Sequence, residues 1–292
     1  MKIEKALIVY NKTLYQLLIV EGRQPHYRKL VQSRHFATEN WKQANEQQME
    51  SLEGVDRTLR LLGISTDRVY RKDLKKIGRY DLVVTVGGDG TVLEASHWVG
   101  DQVLLGVNGV PMESIGALCH TRLETFLSTM IDLMTGALKP TRVTRLKVRV
   151  GKKTLVPLAL NEVLFANRSP GGTSRYWLQI HSRGKKHQEE HKSSGVWIAT
   201  GAGSTAACRS AGGEVVAPET PGMQYLVREP LIQRGKKYKL IKGLLKKTES
   251  ITLIPTTRQS AVFIDGNHIE IPVEYGEPVT VSATGRPLRL VL

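Results

Sequence analysis

Tyr80-Asp81-Leu82-Val83-Val84-Thr85-Val86-Gly87-Gly88-Asp89-Gly90-Thr91-Val92-Leu93-Glu94-Ala95 is the stretch that decides the fold. Its first half, Leu82 to Val86, is apolar and β-branched, the composition of a buried strand. Three glycines around one aspartate follow, and Val92, Leu93 and Ala95 then resume at helical spacing. Strand, glycine turn and helix in that order point backbone N–H groups at an anion. Glycine admits positive φ and lets a phosphate come close to the backbone. Asp89 is the odd member, because a carboxylate repels a bare phosphate and has no packing role among glycines. Three roles suit it: orienting and deprotonating an attacking hydroxyl, holding a magnesium ion that bridges phosphates, or capping the helix.

Outward from this stretch, Ala6-Leu7-Ile8-Val9-Tyr10 reads as a first strand. Residues 11 to 38 are polar and basic without a clean period, which predicts irregular structure or a short helix. Trp41, Ala44, Leu52, Val55, Leu59 and Leu62 recur at steps near three and four, an amphipathic helix with Gly63 as its stop. Val69-Tyr70 suggests a short strand, and Val103 to Asn108 a second buried one. Strands alternating with helices predict a parallel α/β sheet, whose ligands sit beyond the carboxyl ends of the strands. Gly87 to Thr91 and Asn108-Gly109 fall at such ends.

Leu123, Phe126, Leu127, Met130, Ile131 and Met134 make one last helix, stopped near Gly136 and Pro140. After it the apolar runs are short and strand-like: 146–150, 158–160, 177–180, 196–198, 251–254 and 261–264, with turn signals between them. The expected fold class is an α/β N-terminal domain plus a β-rich C-terminal domain. The expected boundaries are 1–120 for the α/β domain, 121–275 for the β-rich domain, and 276–292 for C-terminal strands that are free to return to the first domain.

Lys and Arg number 42 against 27 Asp and Glu, a net charge of +15. That excess implies an anionic partner: nucleic acid, a membrane surface or a polyanionic small molecule. No run is long and apolar enough to span a bilayer, and the first residues lack the apolar core of a signal peptide. Two cysteines, Cys119 and Cys208, fit a reducing compartment and no disulfide framework. The expected location is cytoplasmic. No His/Cys cluster suggests a protein metal centre.

Two further constellations carry chemistry. In Leu160-Asn161-Glu162-Val163-Leu164 an amide and a carboxylate stand between apolar residues. Adjacent strand residues face opposite ways, so only a strand end or bend presents both to one ligand. Such a pair hydrogen-bonds sugar hydroxyls, ligates a cation through oxygen, or is a solvated strand edge. In the second, Ser193 to Ala199 reads as a strand that runs into Thr200-Gly201-Ala202-Gly203-Ser204-Thr205-Ala206 and a small-residue helix ending at Gly212-Gly213. The hydroxyls of Ser204 and Thr205 suit a helix cap or a ligand.

In this order, Gly87-Gly88-Asp89-Gly90-Thr91, Asn161-Glu162, Gly203-Ser204-Thr205-Ala206 with Ser210-Ala211-Gly212-Gly213, and Asp265-Gly266 resemble the NAD kinase family. The glycine-aspartate motif alone is shared with diacylglycerol, sphingosine and phosphofructokinase-type kinases; the full series is far more specific. It covers roughly residue 80 to residue 270. Lys192-Ser193-Ser194-Gly195 and Val227-Arg228-Glu229-Pro230 resemble the mitochondrial-type branch, although no Arg/Ser-rich presequence is visible.

The resemblance implies an NAD kinase/diacylglycerol kinase-like fold of two domains with the active site between them. It implies ATP-dependent phosphorylation of the 2′-hydroxyl on the adenosine ribose of NAD, with Mg²⁺ carried by the nucleotide, in a homodimer or homotetramer. Gly87, Gly88, Gly90 and Thr91 would face phosphates, and Asp89 the 2′-hydroxyl. Asn161 and Glu162 would hold the nucleoside. Asn108, Thr200, Gly203, Ser204, Thr205, Ala206 and Asp265 would line the nucleotide sites. Three positions depart from the family pattern: Ser194 for an aspartate, Gly201 for a proline, and Ala207 for an aromatic that would stack on adenine. The alternatives are a lipid or other small-molecule kinase of the same superfamily, and a nucleic-acid-binding protein built on the basic run from Arg234 to Lys247. The first would lack the Asn-Glu and Ser-Thr-Ala motifs, and no binding motif accompanies the second.

Overall fold

The computed structural model describes residues 1–22, 24–233 and 235–292. In chain order the elements are β1 (Lys5–Tyr10), α1 (Pro25–Gln32), α2 (Trp41–Leu61), β2 (Ser65–Tyr70), β3 (Leu82–Val86), α3 (Asp89–Ser96), β4 (Val103–Val107) and α4 (Leu123–Thr135). Next come β5 (Thr141–Val143), β6 (Leu146–Val150), β7 (Lys153–Thr154), β8 (Glu162–Asn167), β9 (Ser174–Ser182), β10 (Lys185–Ser193) and β11 (Gly195–Ala199). The chain ends through α5 (Ala207–Ser210), β12 (Met223–Arg228), β13 (Lys242–Leu245), β14 (Ser250–Pro255), β15 (Ser260–Ile264), β16 (Ile269–Val273), β17 (Val279–Ala283) and β18 (Leu288–Val291). Two compact units result, Met1–Thr141 with Arg289–Leu292, and Arg142–Leu288.

The first unit is built on a sheet in the order β2-β1-β3-β4-β18-β5. β1 pairs in parallel with β2 and β3, β3 with β4, and β4 with β18. β3 and β4 are buried along their whole length, which is why they read as unbroken apolar runs. Leu52, Val55 and Leu59 of α2 and Phe126, Met130 and Leu133 of α4 pack into one core with Ile8, Val84 and Leu105 of the sheet. Gly63 at φ +76° and Gly136 at φ +88° follow these two helices where left-handed backbone is needed.

The second unit stacks two six-stranded sheets, β10-β9-β14-β17-β6-β7 and β13-β12-β11-β8-β15-β16. Leu146, Val148, Tyr176, Leu178, Ile251 and Val281 from the first meet Phe165, Val196, Ile198, Tyr225 and Val262 from the second in one core. Lys147 and Arg149 point outward between buried neighbours, the alternation of a sheet with one wet face.

The structure decides one expectation and corrects others. For residues 11–38, read as irregular chain or a short helix, the second alternative holds: a π-helical turn Gln16–Glu21, α1 opening on Pro25, and a 3-10 turn Phe36–Thr38. The division falls at Thr141/Arg142 and not at 120/121, because α4 buries its apolar stripe in the first core. Of the C-terminal strands, only Arg289–Leu292 returns to the first unit; β17 stays in the second. Residues 158–160 form no strand beyond a bridge from Ala159 to Leu146. There the Leu160 N–H donates to Asp265 and its carbonyl accepts from Thr200, so neither serves a ladder.

Candidate active site

In the first unit, Gly87 sits at φ +153°, and a Cβ there would run into the hydroxyl of Thr91. Gly88 is the N-cap of α3 and Asp89 its first residue, so the glycine turn leads straight into a helix N-terminus. The Asp89 carboxylate does not cap that helix. Its Oδ2 accepts the Ala117 N–H at 2.9 Å and its Oδ1 the Leu118 N–H at 2.7 Å. Asp89 thus ties the loop after β4 to the glycine turn, a contact outside the three roles read from the sequence.

Asn108, at the carboxyl end of β4, donates through Nδ2 to the Ser114 carbonyl at 2.9 Å, which bends the same loop over the turn. Gly116 at φ +68° leaves room for that amide. Behind the turn Cys119 Sγ lies 3.6 Å from the Gly87 carbonyl, and burial first, then the Asp89 charge, push its thiol up to about 12. A cavity of about 340 Å³ opens in front, lined by Gly87 to Thr91 with Asn11, Gln48, Arg71, Glu113 and Ser114. Thr91 Oγ1 and Asn108 Oδ1 are buried without a hydrogen-bond partner.

In the second unit, Asp265 stands at φ +48°, and its carboxylate accepts the N–H groups of Leu160, Asn161 and Glu162 at 2.8, 2.8 and 3.1 Å. That bend sets Asn161 just before β8 and Glu162 at its first position. Thr200 clamps it from the other side: its N–H donates to the Asn161 carbonyl at 2.9 Å and its hydroxyl to the Leu160 carbonyl at 2.6 Å. The same hydroxyl accepts the Gly203 N–H at 3.0 Å. A Cβ on Gly203 would strike the Asn161 backbone, so the glycine is required by close approach.

Asp265, Thr200 and Gly203 thus form the frame. Ser204 joins it, its hydroxyl donating to the Val216 carbonyl at 3.0 Å and accepting the Val216 N–H at 3.1 Å. It caps no helix; residues 202–205 form a 3-10 turn and α5 is one turn long. Thr205 is exposed and Ala206 half-buried beside it. The groups left over are Asn161 Oδ1 and Glu162 Oε2, both buried and without a partner. Burial first, then the nearby Asp265 charge, raise the Glu162 carboxyl to about 7. Buried polar atoms are nearly always hydrogen-bonded, so these two oxygens stand out among the groups of this bend.

Gly201 has a local cause. A Cβ there would collide with the carbonyls of Ala217 and Pro218. The sequence reading missed Gln48 and Arg71 on the cavity wall. Gln48 carried a signal: it is a polar residue on the apolar stripe of α2, and its Nε2 donates to the carbonyls of Asn11 and Val86 at 3.1 and 3.0 Å. Arg71 carried none beyond its place after β2. Among the described residues no group of three or more His, Cys, Asp or Glu converges as a metal site. None of their helices is long and apolar enough to cross a membrane.

The fold is that of the NAD kinases. The chain aligns with a crystal structure of an NAD kinase from Archaeoglobus fulgidus in complex with ATP at TM-score 0.67 and 20% identity, over 99% of this chain and 93% of that one. It aligns with yeast NADH kinase complexed with NADH at TM-score 0.72 and 16% identity, over 99% and 83%. A family model for the ATP-NAD kinase N-terminal domain matches residues 5–138. A probable NADH kinase of Oryza sativa subsp. japonica is 32% identical over 243 residues, 77% of this chain and 75% of the relative. The chain belongs to the NAD kinase family, and is an enzyme of the kinase class.

Proposed function

We propose that the chain transfers the γ-phosphoryl group of ATP to the 2′-hydroxyl of the adenosine ribose of NAD, giving NADP and ADP. The observation that carries this reading is the pair of unpartnered acceptors, Asn161 Oδ1 and Glu162 Oε2, held by Asp265 and Thr200. Nucleosides offer hydroxyl and amino donors, which two fixed acceptors recognise. In the first unit Gly87, Gly88, Gly90, Thr91 and Asn108 line or support the cavity that would take the donor phosphates.

The 2′-oxygen would attack the γ-phosphorus, the bond to the β,γ-bridging oxygen would break, and the hydroxyl proton would pass to Asp89. The backbone donors of Ala117 and Leu118 hold Asp89 still at the cavity wall, and positioning is most of what such a transfer needs. Asp89 and Glu113 are the carboxylates on that wall, a donor set suited to a magnesium ion that arrives on phosphate oxygens. Bound there, it would neutralise charge on the transferring group. Full turnover in excess chelator would overturn that assignment.

The rice relative's name and the yeast structure's ligand favour NADH as a second acceptor. The excess of Lys and Arg suits two polyanionic substrates. In the basic run considered above for nucleic acid, Arg234 lies outside the described residues, and Lys236, Lys237 and Lys239 are exposed as on any solvated face. A homodimer or homotetramer in the cytoplasm completes the reading, the two unpaired cysteines favouring a reducing compartment. The test is ATP-dependent formation of NADP from NAD and of NADPH from NADH, beside salt-dependent retention on nucleic acid and light scattering for mass. No turnover of either dinucleotide would overturn the reading.

A further inference from the structure

Arg71 begins the 3-10 turn Arg71–Asp73 directly after β2 and lies on the wall of the glycine-loop cavity. Its Nη1 is 3.3 Å from where a Cβ on Gly90 would sit, so the missing side chain lets the guanidinium come close over the loop. Its Nε lies 3.2 Å from Glu94 Oε2 on α3, and Lys72 Nζ lies 3.2 Å from Glu94 Oε1. Arg71 and Lys72 thus share one carboxylate, so Glu94 is not matched to Arg71 alone. Arg71 is the one Lys or Arg among the described residues lining the cavity, which otherwise carries the carboxylates Asp89 and Glu113. The unpartnered Thr91 hydroxyl is buried on the same wall. The Arg71 side chain is about a fifth exposed, so it is held in place yet reachable from the cavity.

We propose that Arg71 binds the donor polyphosphate above the glycine loop, with Glu94 as the positioning residue that aims its guanidinium. This rests on the reading of ATP as donor. A polyphosphate needs more counter-charge than backbone N–H groups supply, and a guanidinium fork matches two phosphate oxygens at once. The competing account is an ion pair that merely pins the turn after β2 to α3. It predicts a lower melting temperature on substitution and no change in anion binding.

The experiment compares wild type with R71Q, R71K and E94Q by three measurements: calorimetric binding of inorganic tripolyphosphate, the separate KM values for ATP and for the dinucleotide, and a melting curve. For R71Q, tripolyphosphate affinity should fall and KM for ATP rise about 10- to 100-fold, the worth of one charged hydrogen-bonded contact. KM for the dinucleotide should stay within about twofold, with R71K intermediate and E94Q raised severalfold in KM for ATP alone. Unaltered tripolyphosphate binding and KM for ATP in R71Q would overturn the proposal. If R71Q does not fold, R71K and E94Q decide, and wild-type values in both overturn it. Tripolyphosphate binding that depends on Arg71 in a chain phosphorylating neither dinucleotide would sustain the anion site while the substrate reading fails.

Discussion

Asp265 Oδ1 accepts the Asn161 N–H at 2.8 Å, although 104 residues separate the two in sequence. The contact couples the turn after β15 to the entry of β8, so a carboxylate that the family motif places among binding residues acts here on backbone. Asp265→Asn replaces one accepting oxygen with a donor and sets it against a backbone N–H. Charged hydrogen bonds of this kind are worth about 1.5–3 kcal/mol each. The variant is expected to melt several degrees lower and to lose nucleoside affinity together with stability, as read by calorimetry and dinucleotide titration. Unchanged melting would contradict the framing role.

Glu162 gives a pH-dependent prediction. Its carboxyl is raised from 4.5 to about 7 in the folded chain. The folded state thus holds the proton more tightly, and the stability Glu162 lends is full below about 4.5 and lost as pH rises through 7. Gln does not titrate. Glu162→Gln should therefore gain on wild type between pH 5 and pH 8, reaching about 2–4 kcal/mol at the upper end. Denaturant melts across that range check it; a gap that does not grow with pH would refute the assignment.

Asp89→Asn should show two separable losses. One backbone donor, Ala117 or Leu118, would face the new amide N–H, at a cost of about 1–3 kcal/mol in stability. Removal of the proton acceptor should lower kcat by about 10² to 10⁴. Melting curves and steady-state NADP formation, normalised to folded protein, measure the two independently. Near-normal kcat with lowered stability would make Asp89 a purely structural residue.

Both thiols should be slow to react. Burial pushes Cys208 up to about 11 and Cys119 to about 12, so neither is a thiolate at neutral pH. Disulfide-exchange reagents should label them in denaturant but hardly in the native chain, and Cys208→Ser should keep most activity. Rapid labelling of native protein, or loss of turnover by orders of magnitude in the serine variant, would overturn this.

Strands buried on both faces and helices with clean stripes were readable directly, as Leu82–Val86, Val103–Val107 and α4 illustrate. β10 was not, because Lys185 to Ser193 is a largely charged, mostly exposed edge strand. It exists because Arg183 at φ +49° and Gly184 at φ +73° turn the chain back on β9. Within the candidate site, sequence singled out the residue types but not their division of labour. That Asp265 and Thr200 satisfy backbone atoms across 40 or more residues of chain is visible only in the fold. So is the lack of any partner for Asn161 Oδ1 and Glu162 Oε2, which the sequence singles out as a pair.

β18 lies between β4 and β5 in one sheet, so that sheet cannot close until Leu288–Val291 have emerged from the ribosome. Until then β4 offers an open edge of Val103, Leu104 and Leu105, and β5 has no neighbour to join. The unit translated first is therefore the one completed last, and the second unit, inserted between α4 and β18, has its whole sequence available before that closure.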